Sequence, residues 1–129
     1  MKAFIKVLIF FVISKFSAAF MLYPKELKKD ITKGASETFT IVNTCNQIYV
    51  VRVESGFKNI DIKTQVYPKV FILNPQEQKF VKISLQSNKK LKNQTYTGKV
   101  KFTLIPVHLK EFDNLIIELY IDAEVYIQG

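Results

Sequence analysis

From Leu115 to Ile127 the chain reads LIIELYIDAEVYI, in which every second residue is apolar: Leu115, Ile117, Leu119, Ile121, Ala123, Val125 and Ile127. Glu118, Tyr120, Asp122, Glu124 and Tyr126 fill the positions between them. A period of two is the signature of a β-strand, whose successive side chains point to opposite faces. The stretch therefore predicts a long strand with one dry and one wet face. Such a strand needs a sheet beside it for its hydrogen bonds and a second layer beneath its apolar row.

The residues upstream can supply both. The segment FMLYPKELKKDI from Phe20 predicts an edge strand, because Pro24 loses no ladder bond there. After a turn at Lys33, Gly34, Ala35 and Ser36, alternation around Phe39 and Ile41 predicts a second strand that ends at Asn43, Thr44, Cys45 and Asn46. Tyr49, Val51 and Val53 alternate with Ile48, Val50 and Arg52, giving a third strand apolar on both faces except at Arg52 and hence central. A weaker fourth runs through Ile60 and Ile62 and ends by Pro68. VFILNPQEQKFVKISL, from Val70 to Leu85, predicts two strands joined by a turn at Asn74, Pro75, Gln76 and Glu77, since Asn-Pro starts turns. After a polar gap, Tyr96, Gly98, Val100, Phe102 and Leu104 alternate with Thr97, Lys99, Lys101 and Thr103. If this strand pairs antiparallel with the last, Lys99 and Lys101 fall opposite or diagonal to some of Glu118, Asp122 and Glu124. Seven to eight short strands without helical periodicity predict an all-β sandwich.

Composition changes this picture at the N-terminus. Met1 to Ala19 carries Lys2 and Lys6, an apolar run from Val7 to Ile13, and then Ser17, Ala18 and Ala19, which is the order of a secretory signal. Seven apolar residues are too few to span a bilayer as a helix, so no stable membrane anchor is expected. Residues 20–129 would form the exported domain, with the periplasm as its expected location. Of the 19 Lys and Arg residues three lie in the signal, leaving 16 against 11 acids, or +5. Scattered lysines of this kind solvate a surface and protect strand edges, and no aromatic and basic interleaving marks a nucleic-acid groove. Cys45 is the single cysteine, so no intramolecular disulfide staples the domain. The core has to stabilise it alone.

Four stretches resemble one family: MLYPKEL, FTIVNT, FILNPQEQKFVKISL and TYTGKVKFTLIP. In this order they resemble the N-terminal immunoglobulin-like domain of the periplasmic chaperones of pilus and fimbria assembly, and the block around Asn74 and Pro75 is the most specific. The resemblance implies an immunoglobulin-like β-sandwich that binds a pilin-like subunit by lending it the last strand. The lent row would be Leu115, Ile117, Leu119 and, at its end, Ile121. An outer-membrane usher is a further implied partner. The alternation leaves open whether this row is lent or faces the protein's own core.

The sequence departs from the family at the anchor for the subunit's terminal carboxylate. The family uses an arginine in the first strand and a lysine near the end of the last; here the matching positions offer Lys25 beside Glu26, and Glu124. Lys25 and Lys28 are the remaining candidates. The family also continues into a second sandwich where this sequence reaches Gly129, so a cleft between two domains is not expected within this polypeptide. His108 is the sole histidine, and the glycines at 34, 56, 98 and 129 form no phosphate-cradling loop, so no catalytic residue, metal site or cofactor is expected. A Cys45–His108 nucleophile and base would have to join a turn to a distant loop. Asn93, Gln94 and Thr95 form a glycosylation acceptor that matters only in a cell that uses it. The function expected is therefore binding and not catalysis: a chaperone that holds pilin-type subunits, or alternatively a structural immunoglobulin-like module of a cell-surface assembly.

Overall fold

A computed structural model describes residues 20–59, 61–87, 91–107 and 116–128. The signal-like segment 1–19, Ile60, Lys89, Lys90, His108 and Leu115 lie outside the described residues. Nine strands form two sheets. They are β1 (Phe20–Tyr23), β2 (Glu26–Asp30), β3 (Ala35–Asn43), β4 (Tyr49–Phe57), β5 (Ile62–Tyr67), β6 (Val70–Leu73), β7 (Gln78–Ser87), β8 (Thr95–Pro106) and β9 (Ile117–Tyr126). The sheets run β1-β3-β7-β5 and β2-β9-β8-β4-β6. This is the expected all-β sandwich of immunoglobulin type.

The strand count exceeds the expected seven to eight because the first edge strand is two strands. β1 pairs with β3 in one sheet, whereas β2 pairs in parallel with β9 in the other. Pro24 stands at the crossing, and Pro68 stands at a second crossing of the same kind between β5 and β6; both follow a tyrosine through a cis peptide bond. A proline is suited to such a point because it has no N–H to contribute to either ladder. The strand predicted to be central, β4, is interior to its sheet, between β8 and β6.

The dry rows of the two sheets meet in one core. Phe39, Ile41, Val81 and Ile83 from one sheet and Val51, Phe102, Leu104 and Val125 from the other are completely shielded from water. Phe39 and Phe102 touch edge to face, with ring centroids 6.1 Å apart, a geometry that adds about 0.5–1.5 kcal/mol beyond area burial. Where β8 passes β4 there is no room for a side chain. A Cβ on Gly98 would collide with the Gly56 carbonyl oxygen and lie 2.7 Å from the Phe57 ring.

One buried polar residue ties together two of the stretches quoted above. Asn43 is fully buried at the end of β3. Its Nδ2 donates to the Gln47 carbonyl at 2.8 Å and the Leu73 carbonyl at 3.3 Å, and its Oδ1 accepts from the Cys45 N–H at 2.8 Å. Its main chain is bonded to the turn at Asn74–Glu77: the Asn43 N–H donates to the Glu77 carbonyl, and the Gln76 N–H donates to the Asn43 carbonyl. Within that turn the Glu77 carboxylate accepts from the Asn74 N–H at 2.8 Å, which lowers its pKa from the ordinary carboxylate value. Gln76 takes the left-handed conformation, with φ of 63°. The asparagine of FTIVNT and the NPQE turn are thus one structural joint, in which the buried groups satisfy one another.

Candidate functional site

β9 is well covered on one side and half covered on the other. β8 pairs with its whole length, from Leu104↔Ile117 to Thr95↔Tyr126. β2 pairs only with its second half, Asp122 to Tyr126. From Ile117 to Ile121 the edge of β9 facing away from β8 therefore has no strand partner among the described residues. β1 would have extended β2 along this edge, but the crossing at Pro24 takes it to the other sheet.

A cleft of about 500 Å3 lies between the two strands, lined by Phe20–Tyr23 and Lys25 on one side and by Leu119, Tyr120 and Ile121 on the other. It is bounded by β1, which pairs only with β3, and by the uncovered half of β9. Open backbone donors and acceptors beside an apolar cleft can accept an additional extended strand, with main-chain pairing for affinity and alternate side chains for fit.

Burial divides the apolar row of β9. Ile121, Ala123 and Val125 are at most 3% exposed and belong to the protein's own core. Ile117 and Leu119 are half-buried, packed against the core on one side and open on the other. Leu115 lies outside the described residues. The row the alternation left undivided therefore splits: its second half is the protein's own core, and Ile117 and Leu119 in its first half stay partly open.

The two candidate anchor lysines separate. Lys25 lines the cleft. The Lys28 ammonium lies 3.3 Å from the Glu124 carboxylate on the outer face of the five-stranded sheet. The charge matching expected between the last two strands is present there: Lys99 lies directly across from Asp122, at 3.1 Å, and Lys101 bridges Glu118 and Glu54, each at 3.7 Å. Lys99 also sits 5.9 Å from the Tyr120 ring, and the Tyr120 hydroxyl donates to Glu118 at 3.0 Å. These exposed pairs each add well under about 1 kcal/mol, but they hold the wet face of β9 in a defined arrangement.

Sequence reasoning missed the contribution of Phe20 and Leu22, whose alternation in FMLY was the available signal. Cys45 is half-buried beside the Asn43 joint, and burial raises its thiol pKa, an effect partly opposed by a hydrogen bond with Tyr49. No group of three or more His, Cys, Asp or Glu able to hold a metal occurs among the described residues. Those residues also include no helix long and apolar enough to cross a membrane.

No protein-family model matches the sequence, and no curated protein matches it by sequence. Solved structures do match the fold. A chain of the Salmonella enterica SafA pilin–SafB chaperone complex superposes with a TM-score of 0.69 at 15% identity, over 85% of this chain and 55% of that one. The E. coli chaperone DraB gives 0.64 at 16% identity, over 82% and 53%. The PapD-like domain 7 of human CEP192 gives 0.65 at 9% identity, over 86% of both chains. The chain thus spans a little over half the length of these bacterial chaperones and most of the human domain. At such identities the likeness is one of architecture, and the architecture is that of the PapD-like immunoglobulin-type sandwich.

Proposed function

We propose that the protein is a chaperone-like binding protein that holds a pilin-type subunit by lending it the first half of β9. The observation that carries this reading is the uncovered edge from Ile117 to Ile121 beside the cleft under β1. Ile117 and Leu119, with Leu115 ahead of them in the sequence, supply the side chains that enter the subunit. Ile121 is the inner end of the row, where the strand turns over to its own core. The recurrence of this fold in proteins described as periplasmic chaperones supports the reading, as does a matching structure in which a chaperone accompanies a pilin. The signal-like segment ahead of Phe20 agrees with action in the periplasm.

Co-expression of the exported chain with a pilin-type subunit tests it. The wild type is expected to co-purify with the subunit, and Ile117→Lys with Leu119→Lys to lose it while keeping the circular dichroism of a β protein. Since both residues are half-buried, the single Leu119→Ser variant accompanies the pair, and it should weaken the complex without unfolding the domain. A complex that persists in folded variants refutes the proposal. The same open edge could pair two copies of the chain, as a structural module would require, and sedimentation over a concentration series separates that case by its oligomers.

A further inference from the structure

The two outer faces of the sandwich differ in chemistry. On the five-stranded sheet the outward residues around β9 and β8 are charged and paired with one another, Lys28 with Glu124, Lys99 with Asp122, and Lys101 with Glu54 and Glu118, while the β6 edge of that face exposes Val70 and Ile72. On the four-stranded sheet no outward-facing strand position carries an acid. Its outward residues are aromatic, hydroxyl, amide or lysine, with Met21 and Val42 at one corner. Neither Lys63 nor Lys82 has an ion pair among the described residues.

Three exposed rings stand on this face. Tyr23, Thr40 and Phe80 lie straight across β1, β3 and β7 in register, and Tyr67 on β5 is opposite Lys82, diagonal to Phe80. Tyr23 is 45% exposed, Phe80 57% and Tyr67 79%, whereas Thr40 between the first two is only 8% exposed. The Thr40 hydroxyl makes no side-chain hydrogen bond with another described residue. From strand spacing Tyr23 and Phe80 are roughly 10 Å apart. Phe80 and Tyr67 are roughly 7–8 Å apart as diagonal neighbours. Beyond the rings, Ser36, Thr38 and Gln65 continue the face as neutral donors and acceptors.

We propose that this face binds an acidic glycan. Exposed aromatic rings spaced along one sheet face offer stacking surfaces to the C–H faces of sugar rings in an extended chain. Hydroxyl and amide side chains exchange hydrogen bonds with sugar hydroxyls. Lys63 and Lys82 meet the carboxylates, and the lack of acids on the face removes the repulsion such a chain would otherwise encounter. A membrane surface is less well matched, because adsorption to anionic lipid draws on a denser basic cluster than two lysines. Only Tyr23 and, at the corner, Met21 also line the cleft beside the lent strand, so failure at Phe80, Tyr67 and the two lysines would leave that reading standing.

Native gel electrophoresis in the presence of polygalacturonate tests the proposal, with dextran as the neutral comparison. The wild type is expected to be retarded by polygalacturonate. Phe80→Ser with Tyr67→Ser should weaken retardation at least tenfold, Lys63→Gln with Lys82→Gln should also weaken it, and Glu54→Gln on the opposite face should not. NMR titration of the wild type with oligogalacturonate should place the shifted amides on β1, β3, β5 and β7, and this readout needs no variant. No retardation overturns the proposal. Retardation that the lysine changes weaken but the aromatic changes leave intact also overturns it, as attraction of a polyanion to a basic protein. Aromatic-dependent sedimentation with phosphatidylglycerol vesicles, or aromatic-dependent capture of a protein, without glycan binding would assign the face to that other partner.

Discussion

Replacing Asn43 with alanine should cost the domain about 3 kcal/mol. The change removes both donors to the Gln47 and Leu73 carbonyls and the acceptor of the Cys45 N–H, and it leaves a small cavity at a fully buried position. A buried polar group left without its partner costs about 1–3 kcal/mol. Leu73 is completely buried and bears that cost in full, although its bond is the longest of the three at 3.3 Å. Gln47 and Cys45 are half-buried, so water recovers part of theirs. A loss of this size is a large share of a stability of about 5–15 kcal/mol. It should lower the melting temperature by roughly 10–20 °C for a domain of this length. Asn43→Asp separates the roles of the amide. It keeps the acceptor for Cys45 but sets a carboxylate against two carbonyl oxygens, so at pH 7 it should be at least as damaging as alanine. It should recover in part on acidification, when the protonated acid can donate one bond. Urea unfolding followed by circular dichroism measures both variants. A loss below about 1 kcal/mol in Asn43→Ala, or an aspartate variant as stable as the wild type at neutral pH, would refute the claim that this amide joins β3 to the β6–β7 turn.

Gly98→Ala should destabilise by about 1–3 kcal/mol through overpacking against Gly56 and Phe57, read as a lower urea midpoint with an unchanged slope. Hydrogen bonds from the Thr32 side chain and main chain hold Asp30 below its ordinary carboxylate pKa, and the Asn74 N–H does the same for Glu77. A depressed folded pKa gives stability that is present above the unfolded value near about 4 and is lost as pH falls through the folded value. Asp30→Asn with Glu77→Gln should therefore flatten the pH dependence of the melting temperature in the acid range and leave the slope above pH 6 unchanged. Subunit binding should change little between low and physiological salt, and amidating the C-terminus of a subunit peptide should leave its affinity unchanged. A strong loss on amidation, reproduced by Lys25→Gln, would instead identify Lys25, the lysine on the cleft, as an anchor.

The strand segments, with β1 and β2 read as one, and the antiparallel pairing considered for the last two were legible in the sequence, because alternation is a local property. A residue's position in a period of two fixes which face it takes whatever sheet it joins, so the dry row of β9 and the meeting of Lys99 and Lys101 with acids of β9 follow once two neighbouring segments pair antiparallel, while the register that sets Lys99 against Asp122 does not. The NPQE turn was legible for the same reason, since proline and asparagine restrict their own backbone. Local signals also marked Pro24 as an interruption, but not as the point where one predicted strand passes between sheets. That crossing depends on which surfaces Phe20, Leu22 and Leu27 can cover, and those surfaces are built from residues far along the chain. Likewise, alternation could not divide Ile117 and Leu119 from Ile121. The division is set by where β2 begins against β9, at Glu26↔Asp122. The register of two segments nearly 100 residues apart has no counterpart in either segment alone, so tertiary structure alone decided which half of the last strand is core and which half is open edge.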